Sequence, residues 1–561
     1  MADRFEWRLV SALEKVFPDE PLRAAPFSAA SALRGETFSF QFAARCVARS
    51  LDASAAGVFG QATVRLSVES ELPATIRESV CVPVEIPSIL HDDNLLRDAP
   101  GLYPDPLVEL PGGVSRLSGG CWRSFWVTVR IPEDCRPGPR RIVVSLADIG
   151  RARDENHPPV AGAFTLEVLP AALPPQRLLR YEWLHADCLA AVYRVPVWSR
   201  EHWRILENFV RGAAAHGLNV LLTPLWTPPL DTAPGAERPT TQLLDIGFDG
   251  QRYHFDFARL KRFLDMAKAC GIDRFAASHA FTQWGAKATP KIMVGENGVE
   301  RKKFGWHVAS DDPAYADFLR QLMAALLPFL KGEGLAGRVF FSASDEPAES
   351  QLDTYGPAAK LLESVLDGAP TIEALSSVEF YRRGLVTHPV PAADHIEPFV
   401  GETPELWTYY CLGQEREVPN RFMAMPSART RVLGALAWVY RLTGFLQWGY
   451  NFYHTQLSFE TIDPWRDTSA GRWTPAGDAF IVYPGADGQP VDSLRHEVFY
   501  DGLQDLRALE ALETRIGRDA VQAMIQEGVP YPIRMKRYPR SADWLLGLRE
   551  RVNRRLAAET A

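Results

Sequence analysis

From residue 176 onward, short apolar runs alternate with amphipathic helical patterns, and this rhythm restricts the fold more than any other feature of the chain. Candidate strands fall at 178–185, 218–224, 272–279, 338–344, 369–375, 385–390, 405–411 and 443–450. The clearest helix between them spans 312–330. Asp312 can cap it, Pro313 fits its first turn, and Tyr315, Phe318, Leu319, Leu322 and Leu326 recur on one face. A second helix is expected near 427–442, with Val432, Leu433, Leu436 and Tyr440 on one side. Eight such alternations over about 270 residues match a (β/α)8 TIM-like barrel. A doubly wound open sheet has the same alternation and is the competing architecture.

The first third has a different period. Phe38, Phe40 and Phe42 alternate with Thr37, Ser39 and Gln41, and Phe125, Val127, Val129 and Ile131 alternate with Trp126, Thr128 and Arg130. Further short runs at 62–68, 76–82, 141–147 and 163–168, separated by turn residues, suggest a β-sandwich. The proline-rich stretch 169–175 is read as a stiff linker. The expected organisation is an N-terminal β-sandwich at 1–175, a (β/α)8 catalytic barrel at 176–495, and a helical C-terminal extension at 496–561 packed on the barrel.

With 561 residues the chain is too long for one hydrophobic core. Its formal charge of −8 and the lack of a long basic run argue against nucleic acid as a partner. No apolar run is long enough to span a bilayer. The seven cysteines are scattered, odd in number and never spaced C-x-x-C, which argues against a zinc site or disulfide framework. Acidic residues in Met1–Trp7 stand where a signal peptide would need an apolar stretch, so a cytoplasmic location is expected. Fifteen tryptophans are compatible with sugar stacking, although for any one of them core packing is the commoner role.

The most informative stretch is Val339-Phe340-Phe341-Ser342-Ala343-Ser344-Asp345-Glu346-Pro347. It reads as a buried strand ending at two carboxylates, with a proline opening the next helix. In a barrel, strand C-termini line the active site, so both acids would face a ligand. The alternative is that Asp345 caps the following helix and Glu346 complements its dipole. Polar and aromatic groups at other strand ends favour a sugar pocket: His185 and Asp187; His279 and Trp284; Trp407 and Tyr409; Trp448, Asn451 and Tyr453. His185 and Asp187 also raise a metal reading. A metal needs three or four convergent ligands, and neither H-x-H nor H-E-x-x-H occurs here, so no metal or other cofactor is expected.

These motifs resemble glycoside hydrolase family 123, the β-N-acetylgalactosaminidases, and the wider family overlapping it. The resemblance runs from Gly35-Glu36 and Gly101-Leu102-Tyr103-Pro104-Asp105-Pro106 through Ser278-His279, Gln283-Trp284-Gly285 and Ser344-Asp345-Glu346-Pro347. It continues in Gly444-Phe445-Leu446-Gln447-Trp448-Gly449-Tyr450-Asn451 and Val482-Tyr483-Pro484-Gly485, and ends at Asp501-Gly502-Leu503-Gln504-Asp505. It implies a sandwich followed by a barrel, and a retaining exo-glycosidase acting on terminal β-linked N-acetylgalactosamine. It also implies Glu346 as general acid/base and Asp345 as the residue that steers the 2-acetamido group. Tyr409 is then expected on the acetamido carbonyl, with Tyr410 and Tyr453 as alternatives.

Two other readings use the same residues. One is a glycosidase of this scaffold acting on a different terminal sugar, which needs an opposing carboxylate as nucleophile. The other is a non-catalytic carbohydrate-binding protein. The expected partner in every case is an oligosaccharide or glycoconjugate, and the sequence leaves room for a homodimer.

Overall fold

The computed structural model describes residues 5–47, 61–150 and 159–560. Met1–Arg4, part of the segment read above for a leader, lie outside them. The chain divides into two compact units. One comprises Met1–Gln176, Pro419–Val439 and Val491–Ala561, and the other Arg177–Val418 and Tyr440–Pro490.

In the first unit, two five-stranded sheets share one core. The first has strand order 5–11, 37–46, 123–130, 74–84, 101–109, and the second 29–34, 160–172, 138–148, 62–69, 114–117. Phe40 pairs with Val127 and Phe42 with Phe125, and these side chains meet Val144, Phe164 and Leu166 in the shared core. Trp126 and Thr128, on the opposite face, are buried as well. Residues of the helical tail pair with residues of this sheet. Along the helix Leu494–Ile516, Arg495 makes a bidentate ion pair with Asp105 at 2.9 and 2.9 Å, Glu497 pairs with Arg77, and Gln504 bonds both backbone groups of Thr37.

The helix expected near 427–442 is broken into Ser427–Arg431 and Leu433–Tyr440. Gly434 sits against the Gly502 carbonyl of the tail helix, where any Cβ would collide.

In the second unit all eight expected strands form, in order. Six make a parallel sheet in the order Val339–Phe340, Arg274–Ala277, Val220–Thr223, Leu179–Glu182, Leu442–Gln447, Leu406–Tyr409. Ile372–Leu375 and His388–Pro391 form a separate parallel pair. Single parallel bridges, Phe341 to Thr371 and Ala392 to Tyr409, join that pair to the two ends of the sheet. The unit is therefore α/β with a curved parallel half-barrel. Inward residues of all eight strands, among them Tyr181, Leu222, Ala276, Phe340, Ile372, Val390, Trp407 and Leu446, form one core.

The helix Pro313–Gly332 begins as expected, with the Asp312 carboxylate accepting the Ala314 N–H at 2.8 Å and the apolar stripe buried. A four-stranded sheet built from 245–248, 253–256, 292–296 and 299–304 was not anticipated, since these runs are too short and polar to signal strands. Among the described residues, no helix is long and apolar enough to cross a membrane.

Candidate active site

Past Phe341 the fourth strand leaves its ladder and runs on to Asp345 and Glu346. Its outer edge is held by the loop after the third strand: Ala280 N–H donates to Ser342 O, Phe281 N–H to Ala343 O and Trp284 N–H to Asp345 O, at 2.8–2.9 Å. Glu346 then adopts φ +43°, a left-handed conformation that costs a non-glycine residue about 1 kcal/mol or more and is concentrated at functional sites. The following helix begins only at Leu352, and no side chain caps it. Asp345 is thus not a helix cap, and the alternative reading of the motif fails.

Both acids line a cleft of about 530 Å3 whose walls include Trp183, Trp284, Trp448 and Trp473. His185, Tyr409 and Asp231 reach the same cleft. The Tyr409 hydroxyl donates to Glu346 Oε1 at 2.5 Å. This is the hydroxyl expected on the acetamido carbonyl, and the strand places it beside Glu346 at the cleft. Burial raises the Asp345 carboxyl well above the usual carboxylate range, with Glu346, Glu373 and Asp231 adding to the effect. Burial also raises Glu346, which the Tyr409 hydrogen bond opposes and Asp394 reinforces. Two adjacent carboxyls competing for a proton in an aromatic-walled cleft can hold a polar N–H and protonate a leaving group.

A family model for the glycoside hydrolase 123 catalytic domain matches residues 183–512. The chain belongs to glycoside hydrolase family 123. Among solved structures, it is similar to a family 123 glycoside hydrolase from Clostridium perfringens, a study of which concerns glycolipid glycan hydrolysis. The TM-score is 0.71 at 12% identity, covering 99% of this chain and 97% of that one. An endo-beta1,6-glucanase overlaps 59% of this chain and 76% of its own with a TM-score of 0.34 and 10% identity. No curated protein matches the sequence.

Of the residues singled out from the sequence of this glycoside hydrolase, Asp345, Glu346, His185, Trp284, Tyr409 and Trp448 line the cleft. His185 is nearly inaccessible, and burial and Arg238 lower its pKa to about 3. An Arg238 guanidinium N–H donates to its Nδ1 at 2.8 Å, so its Nε2 carries the proton and donates to the Trp448 carbonyl at 3.0 Å. Trp284, at 38% exposure, is the most open of the cleft aromatics, and φ +56° turns it over the rim.

The other five lie beneath the site. Asp187 forms a buried bidentate pair with Arg238 at 2.7 and 2.8 Å, and its second neighbour is His454 at 3.2 Å. Although burial opposes it, Arg238 and His454 hold the Asp187 carboxyl far below its ordinary range. His454, likewise opposed by burial, is pushed up to about 10 by Cys188 and Asp187. Asp187, Cys188 and His454 could in number hold a metal, and the Asp187 carboxylate of this group is ion-paired with Arg238.

Asn451 bonds the backbone N–H and carbonyl of His185 at 2.7 and 3.1 Å. The Tyr453 hydroxyl donates to the Val482 carbonyl at 2.8 Å, and Tyr410 is buried. His279 is sealed edge-on against Trp183, its pKa lowered to about 3 by burial. Trp407 lies one inward layer below Tyr409, against Phe340, in space left by Gly444.

Asp231, Arg238, Glu373 and Trp473 were missed. Asp231 stands in the loop after the second strand, where Trp226, Pro228 and Pro229 are the only signal in the sequence. Burial pushes it up to about 7, against the Leu457 N–H it accepts at 2.8 Å.

Proposed function

We propose that this family 123 enzyme is a retaining exo-glycosidase that releases terminal β-linked N-acetylgalactosamine from glycoconjugates, glycolipids among them, by substrate-assisted catalysis. The single observation that carries this reading is the placement of consecutive Asp345 and Glu346 on one wall of an aromatic cleft. Ordinary retaining enzymes set their two carboxyls across the scissile bond, about 5 Å apart. Neighbours on one wall suit a reaction in which the substrate's own acetamido oxygen attacks the anomeric carbon. In this reading the eight parallel strands act as a closed (β/α)8 barrel, which the two bridging contacts and the continuous inner core support. The helical tail is then a separate element outside the barrel.

Asp345 accepts the acetamido N–H and stabilises the positive charge that develops as the oxazolinium forms. Docking of that N–H favours ionised Asp345, and the negative charge there holds the proton of the pair on Glu346. Tyr409 occupies Glu346 Oε1, leaving Oε2 to deliver the proton to the departing oxygen. Glu346 then takes a proton from the water that opens the cyclic intermediate. Trp284, Trp448 and Trp473 supply flat faces for the sugar.

One observation favours a second reading: Asp231 lines the same cleft and could serve as a nucleophile for a sugar lacking the acetamido group. Its elevated proton affinity weakens it in that role near neutral pH. Turnover of aryl β-N-acetylgalactosaminide and aryl β-galactoside separates the two. Substrate assistance requires hydrolysis of the first only, with inhibition by a thiazoline mimic of the cyclised intermediate. Hydrolysis of both, insensitive to the thiazoline, would replace it with the Asp231 mechanism.

A further inference from the structure

Glu373 lies on the fifth strand, buried beneath the two acids, and no motif drew attention to it. Pairing between the fourth and fifth strands is regular only as far as Phe341, whose N–H donates to Pro370 O at 3.0 Å and whose carbonyl accepts from Ile372 at 2.8 Å. The next inward-turned amides, Ala343 and Ser344, find no ladder partner on the fifth strand. Both donate instead to Glu373 Oε2, at 3.0 and 3.1 Å, and the Tyr355 hydroxyl donates to the same oxygen at 2.9 Å. On its other side the segment is pinned by the 280–284 loop. A single carboxyl oxygen thus takes the place of a strand edge at the two residues immediately before Asp345.

We propose that Glu373 is a positioning residue for the catalytic pair, holding Ala343 and Ser344 so that Asp345 and Glu346 face the cleft and acting on Asp345 through its charge. This rests on the assignment of the pair given above. Glu373 Oε1 is buried without a hydrogen-bond partner. The titratable groups that face Glu373 among the described residues are Asp345, Tyr355 and Tyr181, and none is a cation. Burial pushes Glu373 up to about 8, against the bonds from Ser344, Tyr355 and Ala343. Near neutral pH it is largely uncharged. Above that it gains a charge that raises the proton affinity of Asp345 and helps the pair retain its proton.

The test compares Glu373→Gln, which keeps an acceptor oxygen but cannot ionise, with Glu373→Leu, which keeps neither. Thermal melts confirm folding and rates are taken per active site. For Glu373→Leu, kcat falls by about thirtyfold or more while KM changes by less than about threefold, the loss expected of a misaimed catalytic group. For Glu373→Gln the alkaline limb of kcat/KM moves to lower pH, so that the rate at pH 8.5 relative to pH 6 falls by about threefold against wild type.

A second readout needs no turnover. In protein labelled with 13C at aspartate carboxyls, Asp345 is assigned by its loss in Asp345→Asn, and its titration midpoint must be lower in Glu373→Gln than in wild type. An unmoved midpoint together with a superimposable pH profile overturns the proposal, as does a folded Glu373→Leu with wild-type kcat. If no acetamido sugar is hydrolysed at all, the substrate assignment fails, while the Asp345 titration still decides the role of Glu373.

Discussion

Replacing Asp187 with Asn tests whether the residue below the cleft holds the fold or the substrate. In the wild type its carboxylate is inaccessible and takes two hydrogen bonds from Arg238 at 2.7 and 2.8 Å, with His454 at 3.2 Å. The amide leaves the Arg238 charge buried without its counter-ion. Breaking one partner of such a pair costs about 3–5 kcal/mol. At roughly 2 °C per kcal/mol for a large unit, Tm should fall by about 6–10 °C.

The pH dependence has two parts. Asp187 has a depressed folded pKa, so its contribution is present above its unfolded value of about 3.9 and is lost as pH falls. His454 is raised to about 10, so its contribution is complete below its unfolded value of about 6.5 and is lost as pH rises toward 10. The difference in Tm between wild type and Asp187→Asn should therefore be widest at about pH 5–6.5 and narrower at about pH 9. Thermal melts by circular dichroism across this range, with kcat and KM measured alongside, make the assay. An Asp187→Asn protein with wild-type Tm and a KM raised many-fold would refute the structural assignment and make Asp187 a substrate ligand.

Glu346→Gln should lower kcat by about a hundredfold or more with a poor leaving group, and far less with an activated aryl leaving group that needs no protonation; a leaving-group series checks this. Tyr409→Phe removes the hydrogen bond that favours ionised Glu346, so the alkaline limb of kcat/KM should move to higher pH, as a pH–rate profile would show. Trp284→Ala should raise KM about threefold to tenfold with little loss of Tm, because the ring is on the rim. Trp407→Ala should instead lower stability by about 3–5 kcal/mol, read by denaturant unfolding, because that ring fills the strand core.

Periodicity alone located all eight parallel strands and the helix at Pro313–Gly332, because apolar spacing reports which face of an element is buried. The run Val339 to Pro347 likewise announced a strand ending in two acids, and the acids are in the cleft. What the pattern leaves open is depth. Trp407 and Tyr409 share one face of a strand, yet the first is core and the second touches Glu346.

Side chains beyond a strand's end are harder still, since their direction depends on contacts made across long stretches of chain. Asp187 turned inward because Arg238, 51 residues away, meets it, and Glu373 matters because the fourth strand leaves its ladder beside it. The destination of the helical tail was equally hidden. Its buried acids and arginines find partners only once Asp105, Arg77 and Thr37 are in place. Local spacing thus locates the eight parallel strands and shows where one of them presents its acids. Which charges pair, which rings are covered and which carboxyl keeps a proton depend on neighbours distant in sequence, and only the folded chain supplies them.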